Sequence, residues 1–120
     1  METDSRTKLI KNLFSLWQLT RSESNNLLGL PESSPFDINK DSIIDLNPDS
    51  ASDLNERIGY LLDCHQALGL LFPENPNMKY NWVRFNNRDL DGSSPLEIMT
   101  HHGIDGIKLV NHFLNFTLQR

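Results

Sequence analysis

Apolar residues recur at three- and four-residue steps along most of this 120-residue chain, and the strict alternation of a half-buried strand appears nowhere. The first periodic segment, Thr7 to Leu19, places Leu9, Ile10, Leu13, Phe14, Leu16 and Trp17 on one broad helical face. Thr20-Arg-Ser-Glu23 then reads as a capping box, in which the hydroxyl accepts from the Glu23 amide and the carboxylate reaches back. The helix it opens contains Leu27 and Leu28 and ends at Gly29, with Pro31 just beyond.

Residues 31–50 hold three prolines among many Ser, Asp and Asn, which predicts a loop, or a loop with one short helical turn. Phe36, Ile38, Ile43, Ile44 and Leu46 argue that it is packed down. The longest helix follows, capped by Asp49, Ser50 or Ser52. Its stripe is Leu54, Ile58, Leu61, Leu62, Leu68, Leu71 and Phe72, and Pro73 stops it. Gly59 and Gly69 lie inside it, where they cost helix stability and allow close helix approach. A short helix from Pro76 carries Met78, Tyr80, Trp82 and Val83. After an Asn-, Asp- and Gly-rich loop, Ser94-Pro95-Leu96-Glu97 forms a second capping box opening a short helix that ends near Gly103. A last helix, about Asp105 to Leu118, presents Ile107, Val110, Leu114 and Leu118, with Leu109, Phe113 and Phe116 widening the face. The predicted fold is all-α, a small helical bundle with a helix-turn-helix-like lobe over residues 1–50 and a second helical lobe over 51–120.

The 38% hydrophobic and 22% charged content is that of a globular rather than a disordered chain. A net charge of −5 opposes general binding to phosphate backbones, so DNA binding needs a local basic patch. Cys64 stands alone, which precludes an internal disulfide and suits a reducing compartment. The N-terminus lacks the apolar segment of a signal peptide, and no apolar run approaches the roughly 20 residues that span a bilayer. A cytoplasmic protein without membrane attachment is expected.

Catalytic chemistry finds little footing. His101 and His102 point about 100° apart on a helix, and with His112 they form no ligand spacing. Cys64 and His65 are helix neighbours that do not face one another, so a structural cysteine is the better reading. Asp89 and Asp91 lack EF-hand spacing and fit turn chemistry. No phosphate-cradling glycine loop or nucleophile elbow occurs, so no enzyme, metal or cofactor is predicted.

Helix, capped turn, helix over residues 7–29 matches the opening of a helix-turn-helix DNA reader. The segment where a recognition helix is expected, Glu32 to Asp41, offers three acids, a proline and only Lys40 as a base-reading cation. A lobe that packs or dimerises fits residues 7–50 as well as one that binds operator DNA.

From about Arg57 on, "RIGYLLDCHQALGLLFPENP" and "WVRFNNRDLDGSSPLEIM" resemble the toxin-binding domain of the MbcA/ParS/Xre family of bacterial antitoxins. The family pattern runs from a leucine-rich helix ending in Leu-Phe and proline to a Trp, an Arg two residues on, Asn-bearing loop positions, a Gly, and Ser-Pro-Leu opening a helix. Here those are Phe72, Pro73, Trp82, Arg84, Asn86 or Asn87, Gly92 and Ser94-Pro95-Leu96. "LWQLTRSESNNLLGL" is similar to the first two helices of the family's Xre-like lobe, while "PESSPFDINKDS" departs from its recognition helix. The resemblance implies a partner, a RES-domain toxin that consumes NAD, neutralised by a domain that covers its cleft. It implies toxin-binding roles for Trp82, Arg84, Asn87, Gly92, Ser94 and Pro95. Arg88, which flanks the loop with Arg84, can fork to a partner's carboxylates, and Arg120 at the tail is expected to pair with acidic groups in that cleft. A homodimer within a hetero-oligomeric complex is expected from the wide apolar stripes. The competing expectation is a regulator acting mainly through operator DNA.

Overall fold

The computed structural model describes residues 5–31, 34–38, 40–41 and 48–119. Within them the chain is all-α: α1 (Ser5–Leu16), α2 (Arg21–Leu27), α3 (Pro48–Leu71), α4 (Pro76–Asn81) and α5 (Pro95–Leu118), with 3₁₀ turns at Trp82–Arg84 and Arg88–Leu90. Among the described residues no strand occurs, and no helix is long and apolar enough to cross a membrane. The expected packing of Ile43, Ile44 and Leu46 and the placement of Arg120 fall outside the described residues.

Local signals set most helix ends. Thr20 and Glu23 form the reciprocal cap of α2, at 3.1 and 2.9 Å, and Ser94 and Glu97 repeat it at α5 with the same two distances. α2 closes in a Schellman motif: Gly29, at φ +79°, donates to Asn26 O and Leu30 donates to Asn25 O. α1 ends the same way without a glycine, since Gln18 takes φ +58° while its amide and that of Leu19 reach Ser15 O and Phe14 O. That left-handed residue stops α1 at Leu16, short of the Leu19 expected from periodicity. α3 begins at Pro48, so Asp49, Ser50 and Ser52 lie within the helix rather than before it. α5 breaks at Gly103, whose φ +61°, ψ −141° is open to glycine alone, and the two arms 95–102 and 104–118 are the two helices that the sequence predicts.

One core joins both halves of the chain. Ile10, Leu13 and Phe14 of α1, Trp17 just past it, Leu27 of α2 and its C-cap Leu28 share a cluster with Leu54, Ile58, Leu61, Cys64 and Leu68 of α3 and Met99, Ile107, Val110 and Leu114 of α5. Fully burying each such aliphatic side chain contributes about 1.5–3 kcal/mol. The buried stripes are narrower than predicted: Leu9 is 54% exposed, Leu109 50% and Phe116 56%. Phe36 and Ile38 are buried, and the Phe36 carbonyl accepts from Asn25 and Arg21, which pins that segment to α2. Lys40 and Asp41 both donate to Asp37 O.

Polar struts tie the elements together. Asp63 of α3 accepts from Asn111 at 2.6 Å and Asn115 at 3.0 Å, clasping the second arm of α5. Arg57 lies over Gly29, pairs with Asp53 at 2.9 Å and donates to Leu27 O at the end of α2. Cations suit such helix ends because the last carbonyls there are unsatisfied.

Candidate protein-docking site

Trp82 to Met99, the stretch that carries the resemblance, folds as a braced connector between α4 and α5. Trp82 is buried and stacks on Phe113 of α5 with ring centroids 6.2 Å apart and planes 16° off parallel. Val83 is buried beside it. Arg84 points back to the N-terminal half, donating to Trp17 O at 3.3 Å and Gln18 O at 2.7 Å and pairing with Glu23 at 3.2 Å.

Asn87 closes the loop. Its carbonyl accepts from Leu90 and Gly92, its amide donates to Ser93 O, and its side chain accepts from Asp89 N. Asp91 and Gly92 take φ +59° and +82°, and they reverse the chain toward α5. Leu90 is buried and anchors the turn from below. The Asp89 and Asp91 carboxylates thus sit on a turn, as their spacing suggests.

The positions expected to touch a partner divide into two groups. Trp82, Ser94 and Pro95 are buried within the chain, Asn87 and Gly92 shape the turn, and Arg84 is a strut between halves. Arg88 alone of the described set projects as an exposed side chain with no such internal task, while Arg120 is outside the described residues. The outward surface comes from residues the pattern did not single out for binding: Phe85, 43% exposed, and Leu109 and Phe116 on α5. A signal for the last two was present. At about 100° per residue they sit seven apart, roughly 140° round from the buried stripe Ile107–Val110–Leu114, with exposed His112 between them.

Loop and helix meet in a hollow of about 280 Å³ lined by Asp89, Leu90, Asp91, Ser93, Ile98, His102 and Leu109. Three of these are aliphatic and two are carboxylates, with Ser93 and His102 completing the lining. Neither Asp89 nor Asp91 has an ion-pair partner among the described residues.

Cys64 is fully buried, accepts from Asn111 Nδ2 at 3.7 Å, and burial pushes its thiol up to about 12. A thiol so raised is a poor nucleophile. His65 is held below its ordinary value, first by burial and then by the nearby Lys79 ammonium, and its ring stacks on Tyr80 at 6.4 Å. Among the described residues no group of three metal-ligating side chains converges, and His101, His102 and His112 are exposed. Set against models of protein families, curated proteins and solved structures, the chain finds no match.

Proposed function

We propose that this chain is an antitoxin, a cytoplasmic inhibitory binding protein that neutralises a RES-domain, NAD-consuming toxin by docking over its cleft and catalyses nothing itself. One observation carries most of the support: the residues bearing the family resemblance build a rigid support rather than a reactive centre. Trp82, Arg84, Asn87 and the Ser94–Glu97 cap are consumed in bracing the loop. Phe85, Arg88, Asp89 and Asp91 are thereby held outward before any partner arrives. A preorganised surface forfeits little ordering entropy on association, which suits an inhibitor that works by occupancy. The operator-binding alternative has weaker support, because the described residues between 31 and 41 form a turn, with Lys40 as their one cation.

The test is co-expression with a RES-domain toxin encoded beside it, scored for growth and cellular NAD. The wild type is expected to restore both, and Phe85→Ala with Arg88→Ala to weaken rescue at least tenfold in the dose required while leaving the melting temperature unchanged. Failure of the wild type to bind or rescue overturns the reading. Deleting residues 118–120 tests the tail separately: undiminished inhibition removes it from the mechanism.

A further inference from the structure

We infer that the hollow between residues 89–93 and α5 receives a basic side chain, Arg or Lys, that a partner protein presents next to an apolar one. The inference rests on the docking surface of the proposed function and specifies what that surface recognises.

The aliphatic part of the lining, Leu90, Ile98 and Leu109, matches the stem of a long cationic side chain, and Asp89 and Asp91, which also line the hollow and are exposed, match its charged head. Both carboxylates lack an ion-pair partner among the described residues, and the nearby Arg88 is beyond ion-pair distance of either. Leu109 continues the hollow onto the exposed stripe that ends at Phe116, one helical heptad along. A neighbouring apolar residue on the partner would cover that stripe. Charge decides between occupants. A second copy of this chain also carries −5, so two copies repel at long range, whereas a basic partner is drawn in.

The experiment uses the whole chain, immobilised, to select from a displayed library of random twelve-residue peptides. The expected winners hold Arg or Lys adjacent to Leu, Ile, Val or Phe. Their binding should fall at least tenfold for Asp89→Asn with Asp91→Asn, change less than twofold for Glu74→Gln, and weaken as salt rises from 50 to 300 mM. Winners without a basic residue, indifference to the double substitution, or no enrichment would each overturn the proposal. Sedimentation of the chain alone covers the rival occupant: self-association abolished by Asp91→Lys would assign the hollow to a second copy instead. The two readings fail separately. If toxin rescue fails and the basic motif is still selected, the antitoxin reading falls and the chemistry of the hollow stands. Rescue untouched by the double asparagine variant would do the reverse.

Discussion

The guanidinium of Arg84 lies 2.7 Å from the carbonyl of Gln18, a residue 66 positions earlier that has turned left-handed to end α1. The same group reaches Trp17 O, so one cation satisfies two carbonyls of the turn just past α1 and clamps the loop segment to it. Hydrogen bonds from a charged donor contribute about 1.5–3 kcal/mol, and the exposed pairing with Glu23 adds little. Arg84→Ala is therefore expected to cost about 2 kcal/mol and lower the midpoint of a thermal circular dichroism melt by several degrees. Arg84→Lys should recover less than half, because a point charge cannot fork between two carbonyls. An unchanged melt with lost partner binding would make Arg84 a contact residue and not a strut.

This pairing marks the boundary of what the sequence discloses. Both capping boxes, the Gly29 terminus, the stop at Pro73 and the break at Gly103 are legible because each depends on residues three or four apart. The role of Arg84 is not, since its acceptors are backbone carbonyls that any residue would supply, brought near only by the packed core. Trp82 is ambiguous for a related reason. A tryptophan beside a loop suits an interface as well as a core, and only the position of Phe113 on α5 decides between them. Leu9, Leu109 and Phe116 fit the helical period loosely enough to be read as core, yet lie at the edges of faces that one small bundle cannot cover.

The second arm of α5 folds tightly against the first. A Cβ added at Gly106 would overlap the carbonyl of Ile98, a backbone atom that cannot rotate away. Gly106→Ala should therefore destabilise by about 2–3 kcal/mol, in the range of overpacked cores, despite the better helix propensity of alanine. Gly69→Ala, where a Cβ meets nothing within 4 Å, should instead be neutral or stabilising by up to about 1 kcal/mol. Urea denaturation of the two variants side by side checks the contrast.

Cys64 reports on global opening. With the thiol at about 12, only about one molecule in ten thousand carries the thiolate at pH 8, and the sulfur is fully buried as well. Native protein should resist iodoacetamide for hours and label within minutes in denaturing urea. Rapid native labelling would mean that α3 and α5 separate readily.

His65 makes stability depend on pH. Its folded value is depressed, by burial first and by Lys79 second, so the unfolded chain takes up the proton before the folded one does. The contribution is complete above the ordinary value near 6.5, declines as pH falls through it, and levels off once the folded ring also protonates. Its buried Nδ1 has no hydrogen-bond partner among the described residues, so the neutral ring is the form this site accommodates. His65→Phe keeps a ring against Tyr80 and should show a smaller loss between pH 7.5 and 5.5 than the wild type in paired urea titrations. Equal losses would assign the effect to the carboxylates.

Asp91 serves two ends that substitution can separate. Its backbone is left-handed, at φ +59°, a conformation Asn and Gly accept and Ala resists by about 1 kcal/mol. It also lines the hollow, where its carboxylate is available to a cationic partner. Asp91→Asn should leave the melt within about 0.5 kcal/mol of wild type while weakening basic peptides, since it keeps the turn and removes the charge. Asp91→Ala should lose both. If the asparagine variant melts like the alanine variant, the carboxylate itself is stabilising the turn, and its place in the lining is then a consequence of folding rather than a sign of what the hollow binds.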